Sequence, residues 1–436
     1  MRAPVSTLLT LTFLLIGFGL LQMGNALQGT LLAVRGGLEG FDATSIGLLM
    51  SGYFAGMCLG SFGAGKLIEQ AGHIRVFAAL ASLGSASALG HLLVIDPVAW
   101  IALRTLTGFC FAGLIIVVES WLNASASPDS RGRILSIYSI CSMGAGIVGQ
   151  LLFSTATPGT FTLFVLVSLL MSVALVPISL SRASAPIPEG KQEAPSIKRL
   201  WHFSPFGAVA MLLKGATFGA FFGLAPIYAQ RVGLSLSQIG LLMAAFSLGG
   251  VLLQYPLGLL SDRVNRRLLA ILLSGVSAAI CVAIGLAGAL SFSLTLVAFA
   301  LVGAAILPNT SIIVAHVNDR APATALIAVA GGLVLMQGIG AVLGPILAGG
   351  AMESMGPSGL MFLLAVIQAG IAAFGLVRIY LVEGVAQDDK AVFSPAPIVP
   401  VMAQLEMSVY EDAVLEAEES GATEIGEDEV VRTAAE

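Results

Sequence analysis

Long apolar runs recur along this chain, interrupted by short stretches that hold most of its charge. Cutting it at the charged or turn-rich breaks gives twelve runs, at 8–34, 46–68, 76–95, 98–119, 134–156, 160–180, 206–229, 238–260, 268–289, 292–314, 323–350 and 359–381. About 20 residues in a helix cross a hydrocarbon core of about 30 Å, so the pattern predicts twelve membrane-spanning helices. The first run begins like a secretion signal. It continues past Leu21 through QMGNALQGTLLAV, however, with no clear small-residue cleavage site, and is read as a retained helix.

Composition agrees with the pattern. Of 436 residues, 57% are apolar and only 10% charged, with a mean hydropathy of +0.96. A soluble globule carries about 25% charged residues, so this chain lacks the charge to cover a water-facing surface. The fold class expected is an all-α integral membrane protein.

The pentapeptide IGLLM occurs at Ile46–Met50 and again at Ile239–Met243, 193 positions apart. The same offset pairs Gly56 with Gly249, Leu59 with Leu252, Gly65 with Gly258, Glu69 with Asp262 and Gly72 with Asn265. Such self-similarity marks an internal repeat. The one long internal break, 181–205, is rich in Pro and Ser and separates six runs from six. The expected organisation is an N-terminal six-helix bundle (1–182), a linker (183–205), a C-terminal six-helix bundle (206–382) and a tail (383–436). That tail holds 14 acids and two bases, a composition expected to stay largely disordered, with 402–418 as a candidate amphipathic helix.

Placing the N-terminus in the cytoplasm puts fourteen Lys and Arg residues outside the spans on that side, leaving Arg35 and Arg231 on the other. By the positive-inside rule both termini and the linker are expected to be cytoplasmic, in the plasma membrane (bacterial inner membrane). Both repeat copies then point the same way, as in a duplication about an axis along the membrane normal.

Each IGLLM helix leads into a short charged loop, GKLIEQAGHIR (Gly65–Arg75) and GLLSDRVNRR (Gly258–Arg267), fitting G-x-L-x-(D/E)-x-x-(G/N). A carboxylate at a helix C-terminus meets partial negative charge and needs a cation. Arg263, Arg266 and Arg267 can supply one in the second copy, Arg75 in the first. Gly72 and Asn265 share a tolerance for left-handed backbone after a helix. These loops, the twelve runs, the two halves and the linker resemble the major facilitator superfamily over about residues 7–382. VESWLNA (Val118–Ala124) and RGRILSIYS (Arg131–Ser139) are similar to its YcaD-like bacterial subgroup. The resemblance implies two pseudo-symmetric six-helix bundles and a charge clamp steadying the cytoplasm-closed state. Gly65, Glu69, Gly72, Arg75, Gly258, Asp262, Arg263 and Arg267 are then the gating-loop residues. The first copy departs from the family pattern, with Glu for Asp and Gln70 where a base is usual, which implies a weaker clamp.

Ionisable residues inside spans are functional candidates by default. Arg104 opens RTLTG (Arg104–Gly108), which resembles the superfamily's R-x-x-x-G element, whose arginine faces the central cavity; snorkelling to the outer interface is the competing placement. Lys214, with Thr217, Phe218 and Phe221 at i+3, i+4 and i+7, gives the seventh span a cation, a hydroxyl and two rings on one face. In the first span Gln22, Asn25 and Gln28 recur every three residues, an arc of about 120°. The expected substrate-binding set is therefore Gln22, Asn25, Gln28, Arg104, Lys214, Phe218 and Phe221, with interhelical hydrogen bonding as the other role for the amides. Tyr53 and Trp100 also suit the cavity, Trp100 equally an outer aromatic belt. Glu119 sits at the cytoplasmic end of the fourth span, and no mid-membrane carboxylate stands out as a proton site. Cys58, Cys110, Cys141 and Cys281 lie in apolar runs and read as packing residues, so no metal or cofactor is expected.

No phosphate-binding loop, metal motif or convergent Ser/His/Asp set is found, so neither an ATP-driven pump nor an enzyme is expected. The sequence favours a secondary active transporter moving a small solute by alternating access. Two span cations without an acid to neutralise them lean toward an anionic metabolite. A proton or other ion is the coupling partner considered, membrane lipid the surroundings, a monomer the expected state, and nucleic acid is no partner. Drug/proton antiport is the alternative within transport, although the G-x-x-x-G-P-x-x-x-G element falls in the eleventh span rather than the fifth. A non-transporting membrane sensor is the alternative of another class.

Overall fold

The computed structural model describes residues 5–125, 128–179, 195–287, 291–322 and 325–381. Among them there is no strand. The helices are α1 (Val5–Leu38), α2 (Ala43–Ala71), α3 (His73–Leu93), α4 (Pro97–Ser125), α5 (Pro128–Leu152), α6 (Thr162–Val173), α7 (Leu175–Ser179), α8 (Ile197–Phe203), α9 (Pro205–Arg231), α10 (Leu236–Arg263), α11 (Arg266–Ala287), α12 (Phe292–Asn318), α13 (Leu326–Met355) and α14 (Ser358–Leu381). Among the described residues eleven stretches are long and apolar enough to cross a membrane, α6 and α7 together making one. The 34-residue α1 supplies the twelfth. α7 carries Pro177, which cannot donate to the carbonyl one turn back, and the helix breaks just before it.

Helix starts repeat as the sequence does. Asp42 caps α2 by accepting from the Ser45 amide at 2.6 Å, and Ser235, 193 residues on, forms a capping box with Gln238 at α10. Close backbone approaches repeat too. A β-carbon on Gly56 would collide with the Thr105 carbonyl of α4, one on Gly249 with the Ala300 carbonyl of α12. Gly108 lies equally close to the Tyr53 carbonyl, and Gly303 to that of Phe246. The offset is thus 193 for α2 and α10 but 195 for α4 and α12. The two extra residues fall between the start of α11, 193 after that of α3, and the start of α12, 195 after that of α4. α5 and α13 also keep 195, since Gly149 abuts the Met23 carbonyl and Gly344 that of Ala216.

The two six-helix halves meet chiefly through α2 against α13, with α1 against α9 and α5 against α10. Gly349 lies on the Ala43 carbonyl and Gly47 on that of Pro345. The Ala43 amide donates to Glu353 Oε2 at 3.2 Å, and Ser51 Oγ to the Val342 carbonyl at 2.7 Å. Among the glycines the last close approach along this pair is Gly338 to Cys58 Sγ, and a β-carbon on Gly65 would meet nothing within 4 Å. The molecule is therefore sealed at the end where α2 begins and parted at the end that carries the repeated loops.

Part of the expected linker is built into the second half. Ser196 caps α8, its own amide donates to the Ala328 carbonyl at 2.9 Å, and Leu200 is buried against Gly332 of α13. The rest of the linker and the tail, with its candidate helix at 402–418, lie outside the described residues.

Candidate functional site

Between the halves lies a cavity of about 210 Å³, lined along α2 from Met50 to Phe62 and along α13 from Val334 to Ala341. It stops at the sealed end and extends toward the parted one. Its wall is mostly Met, Phe and small residues, into which a few polar groups project.

Arg104 is the charged group in that wall, on α4 and only 3% exposed. Its Nη1 donates to Gln28 Oε1 at 3.0 Å, its Cζ lies 4.1 Å over the Tyr53 ring, and its Nε has no hydrogen-bond partner. No carboxylate pairs with it among the described residues. The guanidinium is thus held from one side by an amide and from another by a ring face, with donor capacity left over. Beside it Asn25 Oδ1 is buried and unpartnered, while Gln22 Nε2 donates to Ser142 Oγ at 2.8 Å. Phe218 faces these groups from the other half, in edge contact with Phe54 at 6.0 Å.

Four of the seven expected binding residues, Gln22, Asn25, Arg104 and Phe218, line the cavity; Gln28, Lys214 and Phe221 do not. Gln28 sits behind the wall as the acceptor for Arg104. Phe221 stacks on Phe246 at 3.6 Å and meets Phe299 at 5.8 Å. These three rings occupy the repeat positions of Gln28, Tyr53 and Arg104, so one half carries a polar triad where the other carries an aromatic one. Lys214, 2% exposed, points into the second half and donates to the Ile306 carbonyl of α12. Trp100 lines neither the cavity nor an outer belt: it is buried, with Nε1 donating to the Val94 carbonyl at 2.7 Å. Sequence reasoning missed Gln337 and the methionines Met50, Met57, Met143 and Met243 as lining, because nothing in an apolar run marks them off from core.

The two loops differ in chemistry. Asp262 Oδ1 accepts from Arg266 Nη2 at 2.7 Å, and Arg266, 2% exposed, also reaches Asp319 Oδ1 and the Ala315 carbonyl at the end of α12. Arg266 rather than Arg263 is thus the central cation. Arg263 is exposed, and Arg267 Nη1 donates to the Arg378 carbonyl at 2.8 Å. Gly258 is buried, its carbonyl accepting from Ser261 Oγ. In the first copy His73 stands at the Arg266 position and bonds Ser120 Oγ at 3.0 Å, while Glu69 and Arg75 are exposed and form no ion pair among the described residues. Gly65 is open, and Gly72 has φ +81°. Asn265 does not share that left-handed backbone; its Oδ1 instead accepts from the amides of Arg267 and Leu268, capping α11.

The sequence profile of the Major Facilitator Superfamily matches residues 14–236 and 207–408. The chain belongs to the Major Facilitator Superfamily. Within it, an "Uncharacterized MFS-type transporter" of Enterobacter sp. (strain 638) is 27% identical over 368 residues, covering 84% of this chain and 94% of that protein. The "Uncharacterized MFS-type transporter YcaD" of Escherichia fergusonii is 28% identical over 333 residues, 76% of this chain and 86% of that one. Among solved structures, a bacterial homologue of the human lysosomal transporter Spinster, in an inward-facing and occupied conformation, superposes with a TM-score of 0.70 at 16% identity, covering 91% of this chain and all of that one. The nucleoside transporter NupG gives 0.66 at 16% identity, over 86% and 99%. At such identities these structures establish the superfamily fold alone. The protein is a multi-pass membrane transporter.

Proposed function

We propose that the protein is a secondary active transporter that carries a small solute with an anionic group across the bacterial inner membrane by alternating access. Both termini lie in the cytoplasm, as the Lys and Arg asymmetry requires. The parted end is then cytoplasmic, and the conformation described is inward-facing. The observation that carries the substrate reading is Arg104: a buried guanidinium in the cavity wall, with no acid partner and an unpartnered Nε among the described residues. A carboxylate or similar anion entering the cavity supplies the missing counter-charge. Asn25 offers a second polar contact, and Phe218 packs on the apolar part of the solute. Lys214 drops out of the binding set, since its ammonium is bonded to a carbonyl inside the second half.

Counterflow into proteoliposomes against a panel of anionic, neutral and cationic metabolites tests the reading. The substrates found should be anions, and Arg104→Ala should weaken their apparent affinity about tenfold or more, with Arg104→Lys rescuing in part. An exclusively cationic range, or unchanged affinity in Arg104→Ala, would overturn it.

A further inference from the structure

Glu119 lies about two turns beyond the cavity-lining Phe111 on α4 and has no part in the reading above. It is 4% exposed. Tyr138 of α5 donates its hydroxyl to Glu119 Oε1 at 2.8 Å, and the Tyr138 ring packs on Phe18 of α1 with centroids 4.6 Å apart. Oε2 is buried and meets no hydrogen-bond partner. From α3 the nearest titratable group is His73, which is bonded to Ser120 and stands 6.3 Å from the Trp121 ring. From α5 come Tyr138 and Cys141, whose thiol donates to the Leu15 carbonyl at 3.4 Å. The described part of α1 before Gln22 carries no charge, and on α2, which also packs on α4, Lys66 and Glu69 are exposed. The side chains of Arg131 and Arg133, at the start of α5, lie outside the described residues.

Among the described residues an ionised carboxylate in this setting keeps one neutral donor and no counter-charge, an arrangement that burial strongly disfavours. The fold does not need a polar group here. The repeat puts Met211, Val314 and Leu333 at the positions of Phe18, Glu119 and Tyr138, and these pack together in the apolar core of the second half. A metal cation is a poor occupant, because hard cations take about six or more oxygens and this junction offers a carboxyl and a phenol. Among the described residues no group of His, Cys, Asp and Glu is arranged to hold a metal ion. A proton needs one basic oxygen.

We propose that Glu119 is a proton-binding site whose occupancy biases the cavity between its two openings, with Tyr138 holding the carboxylate when the proton has left. On release the Oε2–H bond breaks, its electron pair stays on the carboxylate, and the proton passes to water at the face where α4 ends. That face is about two turns away: α4 is described to Ser125 and α5 starts at Pro128. The proposal rests on the alternating-access reading and supplies the coupling ion that reading leaves unnamed.

Cys58 lines the cavity and reports its opening. The full-length protein in nanodiscs is alkylated with a maleimide over a pH series, and the peptide bearing Cys58 is quantified by mass spectrometry. The ratio of wild type to Glu119→Gln cancels the pH dependence of the thiol itself. That ratio should change severalfold through a single midpoint. Tyr138→Phe preserves the packing but removes the donor that favours the ionised form, so it should move the midpoint up by about one pH unit or more. A protonated-carboxyl infrared band that bleaches as pH rises should be missing from Glu119→Gln. Alkylation that tracks in wild type and Glu119→Gln at every pH, or a band unchanged by that substitution, would overturn the proposal. Successful counterflow alongside such a result would leave the transport reading standing; pH-coupled labelling with no counterflow for any solute would do the reverse.

Discussion

At the scale of single residues, Tyr53 does for Arg104 what an acid would do elsewhere without neutralising it. A ring face stabilises a guanidinium by about 0.5–2 kcal/mol yet leaves its charge for a ligand. Tyr53→Phe keeps the face and should leave the affinity for an anionic substrate within about threefold, whereas Tyr53→Ala should lower it about tenfold; equilibrium binding to the purified variants checks this, and equal affinities would remove the ring from the site. Arg104 was legible in the sequence because a buried arginine cannot be retained on a lipid face. The rest of the constellation was less so. A spacing of three residues spreads Gln22, Asn25 and Gln28 over too wide an arc to share one wall, and Gln28 turns to Arg104 instead. α9 is buried on nearly every face, so no polar stripe distinguishes the cavity side from the bundle side on which Lys214 lies. Glu119 read as an end-of-helix acid because its partner, 19 residues on across a helix turn, is visible only after α4 and α5 have packed.

At the scale of helices, the repeat was legible because α2 and α10 keep an ungapped register, and the slip to 195 stayed hidden because it falls in the apolar sequence from the start of α11 to the start of α12. What the register does not carry is the chemistry at equivalent positions. Arg266 unites α10, α11 and α12, while His73 offers α3 and α4 one hydrogen bond. Arg266→Met removes the guanidinium that Asp262 and the buried Asp319 share, a cost of about 3–5 kcal/mol. It should sharply lower thermal stability in detergent. Asp262→Asn acts on a side chain 30% exposed and should cost far less while still slowing transport. Glu69→Gln, at an exposed position, should do least, and a different order of the three would break the clamp assignment. The seal between α2 and α13 depends on backbone contact: a side chain at Gly47 meets the Pro345 carbonyl. Gly47→Val should destabilise the sealed end by about 1–3 kcal/mol, a shift of about 5- to 150-fold in the ratio of the two openings. Spin-label distances between positions 44 and 348 should lengthen accordingly; an unchanged distribution would show that the seal lies elsewhere.

At the scale of the whole molecule, orientation decides what every other feature means. The same parted end is an inlet from the cytoplasm or a mouth to the outside, according to which face carries the repeated loops. Charge is the physical handle, because Lys and Arg next to a span are held back on the cytoplasmic side during insertion, whereas acids contribute little. Fourteen such residues fall on the loop face and two, Arg35 and Arg231, on the other. Those two are already engaged in local structure: Arg35 pairs with Glu39 and donates to the Pro158 carbonyl at 3.0 Å, and Arg231 ends α9. The expected topology places Gly190 of the linker in the cytoplasm. With the four native cysteines replaced, Gly190→Cys should react with a membrane-impermeant maleimide only in inverted vesicles, and Gly233→Cys, in the turn after α9, only in intact cells. Reaction of position 190 in intact cells would invert the molecule. The conformation described here would then be outward-facing, and the Glu119 proton would exchange with the opposite compartment.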